Sequence, residues 1–182
     1  MVTMTSLPQS RPLTVADLAD LPDDGRRSEL IDGVLVVSPA PRWIHQRALG
    51  RLHLLLAPLV PPGCEVLFAP FEVRLGADTA LQPDLLVARV ADLTDRHLPT
   101  APLLVVEVLS PSTRLFDLNT KKARFELAGT PSYSVLDPDE PSLVAWQLRD
   151  GGYVEVGRAV RAETLQLSTP FPVQITPAEL VD

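Results

Sequence analysis

The run Leu103-Leu-Val-Val-Glu-Val-Leu109 constrains the fold more than any other feature of the chain. An uninterrupted apolar stretch of this kind marks a β-strand covered on both faces, as in sheets flanked by helices. It is far short of the ~20 residues needed to cross a bilayer. Glu107 lies inside it. An unpaired carboxylate there would cost several kcal/mol or be forced to protonate. The fold must therefore supply layers on both sides of this strand and a compensating group for Glu107, either a metal ion or a cationic partner.

The rest of the chain punctuates into short elements. Its 19 prolines in 182 residues argue against a helical bundle or coiled coil. Thr14-Val-Ala-Asp17 reads as a capping-box helix start running to about Leu21. In SELIDGVLVVSP, two apolar runs flank Asp32-Gly33, the signature of a type I′ hairpin that would pair Ile31 with Val34 and Glu29 with Val36. His45, Leu49, Leu52 and Leu56 recur at helical spacing, and this helix should end before Pro58. EVLFAPFEVRL, LLVARV and PLLVVEVLS then read as three strands. A second helix is expected over 115–128, closed by Gly129, followed by a strand at SYSVLDP. LVAWQLRDGGYVEVGR reads as a hairpin, with a short strand and one helical turn at the C-terminus. This alternation belongs to an α/β or α+β architecture with a mixed sheet flanked by helices and hairpins added at both ends. Residues 1–12 read as a flexible tail and 13–182 as one domain.

Composition narrows the function classes. The lone cysteine, Cys64, excludes an internal disulfide framework and a cysteine-based zinc site. No basic start followed by an apolar run opens the sequence, so a soluble cytoplasmic protein without a membrane segment is expected. The net charge of −7 weighs against broad phosphate neutralisation unless Lys and Arg gather on one face.

Three carboxylates stand where apolar residues should be. Besides Glu107, Asp84 follows Pro83 at the head of a strand, and Glu29 shares a strand face with Ile31. The competing reading for each is pairing with arginine or capping of a backbone group. Two carboxylates on adjacent strands suit Mg²⁺, which takes oxygen ligands at about 2.0–2.1 Å and keeps several waters. On the second helix Leu118 and Phe125 define an inward stripe, with Lys121 and Lys122 on either side; periodicity leaves open which lysine faces the sheet. His45 reads as a packed core histidine, Glu72 as a surface residue, and Ser110 and Ser112 as loop and cap residues.

Taken together, ELIDG, SPAPRWIH, QPDLLV, VVEVLSPST, DLNTKKARF and AGTPSYSVLDP resemble the Uma-type family of restriction endonucleases, a branch of the PD-(D/E)XK nuclease superfamily, from about Thr14 to Asp137. The resemblance implies a restriction-endonuclease-like αβββαβ core and a Mg²⁺-dependent nuclease site, with Mn²⁺ as an alternative ion. Asp84 takes the place of the superfamily aspartate, Glu107 that of its (D/E), and Glu29 that of the ELIDG glutamate. Two residues after Glu107 stands Leu109 rather than lysine; the family spacing Asp-x₃-Lys-x₃-aromatic selects Asp117, Lys121 and Phe125 instead. Phe125 replaces a commoner tyrosine, and Ser134 a tryptophan.

The expectation is thus an endonuclease in which Asp84, Glu107 and the Val108 carbonyl hold the ion. Glu29 would orient water or hold a second ion, and Lys121 would act on the reacting phosphate. Arg42, Arg47, Arg51, Lys122 and Arg124 are expected to form a phosphate-facing patch for DNA on the two helices, and a homodimer would suit a double-strand cut. Two rivals stand beside it: a non-catalytic interaction module on the same fold, and a metal-dependent hydrolase of a small phosphoester.

Overall fold

The computed structural model describes residues 11–21 and 26–182. Most of the expected tail, residues 1–10, lies outside the described residues. Arg11 pairs with Asp17 at 2.7 Å, and the Leu13 amide donates to the Gly33 carbonyl at 2.9 Å.

Helix α1 (Val15–Ala19) starts as read: Thr14 and Asp17 form a reciprocal capping box. Strands β1 (Arg27–Ile31) and β2 (Val34–Ser38) form the expected hairpin, with Glu29 opposite Val36. Asp32 and Gly33 both have positive φ, 51° and 77°, as a type I′ turn requires. Gly33 is needed twice over, because a Cβ there would lie 2.5 Å from the Pro12 Cβ. Helix α2 (Trp43–Leu56) buries His45, Ala48, Leu49, Leu52 and Leu56 on one stripe.

The segment 65–75 is not the single strand that its composition suggests. Strand β3 (Cys64–Phe68) joins one sheet, the chain turns through a cis Ala69–Pro70 bond, and β4 (Glu72–Arg74) joins another. Pro70 lacks the N–H that a continuous ladder would need. Short β5 (Ala80–Leu81) is followed by β6 (Leu85–Arg89), β7 (His97–Leu98) and β8 (Leu104–Val108). After β8 the chain takes a π-helical turn over Phe116–Lys121 and continues as α3 (Lys122–Leu127). Strand β9 (Ser132–Asp137) runs parallel to β8, so the helical crossover between them is obligatory.

Strands β10 (Ser142–Arg149) and β11 (Gly152–Val160) form the second hairpin, again with positive φ at both turn residues, Asp150 and Gly151. Strands β12 (Leu165–Leu167) and β13 (Val173–Ile175) pair with each other, and α4 (Pro177–Val181) ends the chain.

The main sheet has the order β11-β10-β9-β8-β6-β3, and the second has β2-β1-β5-β4-β7. Both are mixed, through the parallel pairs β8–β9 and β4–β7. Strand β8 is covered on both faces, as its composition requires. Leu104, Val106 and Val108 pack with α2, α4 and β13, while Val105 and Leu109 pack with Phe125, Tyr133 and the second sheet. Glu107 shares the second face, toward β1 and α3. Among the described residues no helix is long and apolar enough to cross a membrane.

Candidate active site

The site forms where β1, β6, β8, α2 and the helix after β8 meet. Asp84 is placed by the proline before it, and Glu107 by the alternation of β8. Both are buried, Glu107 completely. The Asp84 amide donates to Glu107 Oε2 at 3.2 Å, and the Val108 amide donates to Asp84 Oδ2 at 2.8 Å. Each carboxylate thus accepts a backbone bond from the other's strand region.

Lys121 resolves the ambiguity left by periodicity. Its Nζ lies 3.0 Å from Glu29 Oε1, 3.3 Å from Glu107 Oε1 and 3.5 Å from Asp117 Oδ1. The inward stripe is Asp117, Lys121 and Phe125, all buried, while Leu118 is only partly buried. This corrects the α-helical expectation for Leu118. The π-helical turn widens the spiral there, and buried Tyr133 donates its hydroxyl to the Asp117 carbonyl at 2.7 Å. Lys122 points elsewhere, with its ammonium 4.2 Å from the Trp146 ring centroid.

Glu29 also accepts the Gln82 amide at 2.8 Å, which ties β1 to the segment between β5 and β6 that carries Asp84. Two site residues escaped the sequence reading. His45 is packed as expected, but its Nε2 lies 3.2 Å from Asp84 Oδ2. Arg27, just before ELIDG, places Nη1 2.6 Å from Asp84 Oδ1 and Nε 3.8 Å from Glu29 Oε2, and also donates to the Gln82 carbonyl. For His45 the signal was a titratable ring on an otherwise apolar helical stripe. For Arg27 it was a cation two residues before a buried glutamate, which β-alternation puts on the same face.

These contacts set the charge states. Burial and the like charges of Asp84 and Asp117 push the Glu107 carboxyl well above the glutamate range, against the pull of Lys121 and Arg27. Burial also works against ionised Asp84, but the His45 hydrogen bond and the Arg27 charge outweigh it and hold Asp84 below the aspartate range. Burial alone would lower Lys121; Glu107 and Glu29 reverse that and raise it. Asp117 is raised, chiefly by burial.

The donor set suits a hard divalent cation. Asp84, immediately before β6, and Glu107 on the neighbouring β8 offer carboxylate oxygens, with the Val108 carbonyl in the residue next to Glu107. Among the described residues Glu107 Oε1 is buried without a hydrogen-bond partner, and the Lys121 ammonium stands 3.3 Å away as an ion pair. Such an orphaned oxygen is what a cation would satisfy. Among the described residues no three or more His, Cys, Asp and Glu side chains form a cage, so an ion there would keep water ligands.

Asp84, Glu107 and Lys121 open onto a cleft of about 700 Å³, whose walls include Arg26, Arg27, Arg42 and His45. The expected cationic patch is not gathered on it. Of its five members only Arg42 lines the cleft, and it pairs with Asp139 at 2.6 Å. Arg47 and Arg51 donate to carbonyls of α4, and Arg124 pairs with Asp32 at 2.5 Å. Glu72, expected on the surface, is half-buried against Arg74.

A crystal structure from Anabaena variabilis ATCC 29413, described as "a putative nuclease belonging to DUF820", matches this architecture with a TM-score of 0.77. The match covers 93% of this chain and 98% of that one at 18% identity, so it establishes the restriction-endonuclease-like fold. No curated protein matches the chain. The family whose description is "Putative restriction endonuclease" matches residues 15–179, a span that takes in every site residue named above, and the chain therefore belongs to that family, Uma2.

Proposed function

We propose that the protein is a Mg²⁺-dependent endonuclease that hydrolyses DNA phosphodiester bonds. The convergence of Asp84, Glu107 and Lys121 on one cleft carries this reading. Asp84 and Glu107 would hold the ion, with the Val108 carbonyl as a third ligand. Bound there, Mg²⁺ would supply charge stabilisation on a phosphoryl oxygen and a lowered pKa for attacking water. Mn²⁺ has the same oxygen-ligand preference and would substitute.

The protein's own groups do the positioning. The Val108 amide and His45 orient the Asp84 carboxylate, and Glu29 fixes Lys121. The Lys121 ammonium would stabilise negative charge developing on the phosphate, where a buried cation acts with little dielectric screening. A homodimer would place two such clefts on one duplex.

A second reading, hydrolysis of a small phosphoester, is favoured by one observation: Arg47, Arg51 and Arg124 are engaged away from the cleft in a protein of net charge −7. Plasmid nicking and hydrolysis of a chromogenic phosphodiester, each with Mg²⁺, with EDTA and with Asp84→Ala, separate the two. Metal-dependent nicking lost in Asp84→Ala supports the nuclease. Activity on the small ester alone supports the second reading. Inactivity on both substrates leaves an interaction module on the same fold.

A further inference from the structure

The two oxygens of Asp84 differ in what holds them. Oδ2 takes the Val108 amide at 2.8 Å and His45 Nε2 at 3.2 Å, both from regular elements. Oδ1 faces the guanidinium of Arg27 at 2.6 Å. Arg27 is itself incompletely satisfied, since its Nε is buried without a hydrogen-bond partner among the described residues. An N–H buried unpaired is destabilising, so the present bonds to Asp84 and to the Gln82 carbonyl do not saturate this side chain.

Arg27 is also placed to move. It is the first residue of β1, its side chain is 22% exposed, and it lines the cleft. Rotation into the cleft would leave the strand ladder and the apolar core intact. A divalent cation ligated by Asp84 competes with the guanidinium for the same carboxylate charge. Once released, the planar fork of Arg27 matches the geometry of a phosphate.

We propose that Arg27 exchanges partners in the working site, leaving Asp84 Oδ1 as a divalent cation binds and taking a non-bridging oxygen of the nucleic-acid phosphate. This rests on the metal-dependent nuclease reading. It makes metal and nucleic acid mutually reinforcing ligands, because the metal frees the residue that grips the phosphate.

The test measures Ca²⁺ binding by calorimetry. In parallel it measures the affinity for a phosphorothioate duplex, recovered intact on a gel, with and without Ca²⁺. Wild type is compared with Arg27→Met and, in case that variant fails to fold, with Arg27→Gln. The substituted protein should bind Ca²⁺ about threefold more tightly or better, having lost the competing cation. The gain in duplex affinity that Ca²⁺ produces in wild type should shrink about tenfold, the worth of one charge-assisted contact.

A merely structural Arg27 would change the melting temperature and leave the coupling between metal and duplex at its wild-type value, and that result overturns the proposal. Unchanged or weaker Ca²⁺ binding in the variants overturns it as well, while the nuclease reading stands. If wild type binds neither Ca²⁺ nor Mg²⁺, the nuclease reading fails and takes this proposal with it.

Discussion

Asp84 and Glu107 are bound to each other through the backbone: the Asp84 amide donates to Glu107 Oε2, and the amide that follows Glu107 donates to Asp84 Oδ2. Two carboxyl groups are thereby held together in a buried site, where the charge of Asp84 disfavours ionisation of Glu107. Two cations favour ionisation against that effect, Lys121 next to Glu107 and Arg27 next to Asp84.

The first prediction concerns pH and follows from Glu107. Its carboxyl is raised in the folded protein, so the fold prefers the protonated form. That preference contributes stability fully below the unfolded value of about 4.5, and the contribution is lost as pH rises through the folded value. Asp84 behaves oppositely: its stabilisation is present above the unfolded value of about 3.8 and is lost as pH falls through the depressed one. In EDTA, Glu107→Gln should therefore gain stability relative to wild type as pH rises from about 5 to about 9. Urea melts across that range would show it; parallel profiles for the two proteins would contradict the assignment.

Mg²⁺ should reverse that loss. An ion that binds only the native site stabilises it by about 2.7 kcal/mol at one hundred times its dissociation constant. The melting temperature of wild type should rise with millimolar Mg²⁺ at neutral pH, and that of Asp84→Asn should not. A wild-type melt indifferent to Mg²⁺ would argue strongly against a metal site here.

The two lysines should separate cleanly. Lys121→Met strips a buried ammonium from three carboxylates, which should destabilise the fold by about 3–5 kcal/mol. Cleavage by the folded fraction should fall roughly 10²–10³-fold, as when a preorganised charge-stabilising donor is removed. Lys122→Ala loses a cation–π contact with Trp146 worth about 0.5–1 kcal/mol, and should leave both cleavage and its salt dependence near wild type. Single-turnover cleavage and denaturation of both variants decide the matter.

Tyr133 tests the π-helical turn. Tyr133→Phe leaves the buried Asp117 carbonyl without its hydroxyl donor, at a cost of about 1–3 kcal/mol. The same change should lower the cleavage rate more than duplex affinity, because the turn that carries Asp117 also aims Lys121. Equal loss in both quantities would mean that Tyr133 acts on stability alone.

Much of this was legible in the residues themselves. Asp32-Gly33 and Asp150-Gly151 specify their turns because positive φ at two consecutive positions suits few other pairs, and a two-residue turn sets the register of both strands. The capping box at Thr14 and Asp17 and the inward stripe of α2 are equally local. Glu107 declared itself because a charge in a doubly covered strand demands compensation. The family resemblance added the choice of Lys121 and the expectation of the fold.

Tertiary structure alone decided which groups compensate those charges. Arg27 reaches Asp84 across 57 positions of sequence and His45 across 39, distances at which periodicity carries no information. It also decided that 65–75 divides between two sheets, that a π-helical turn brings Asp117 and Lys121 inward together, and that Arg47 and Arg51 serve α4 rather than the cleft. Turns and strand faces depend on dihedral preferences within a few residues, which the sequence states by itself. The partner of a buried charge depends on which distant group shares its desolvated space, and only the packed sheets and helices bring that group there.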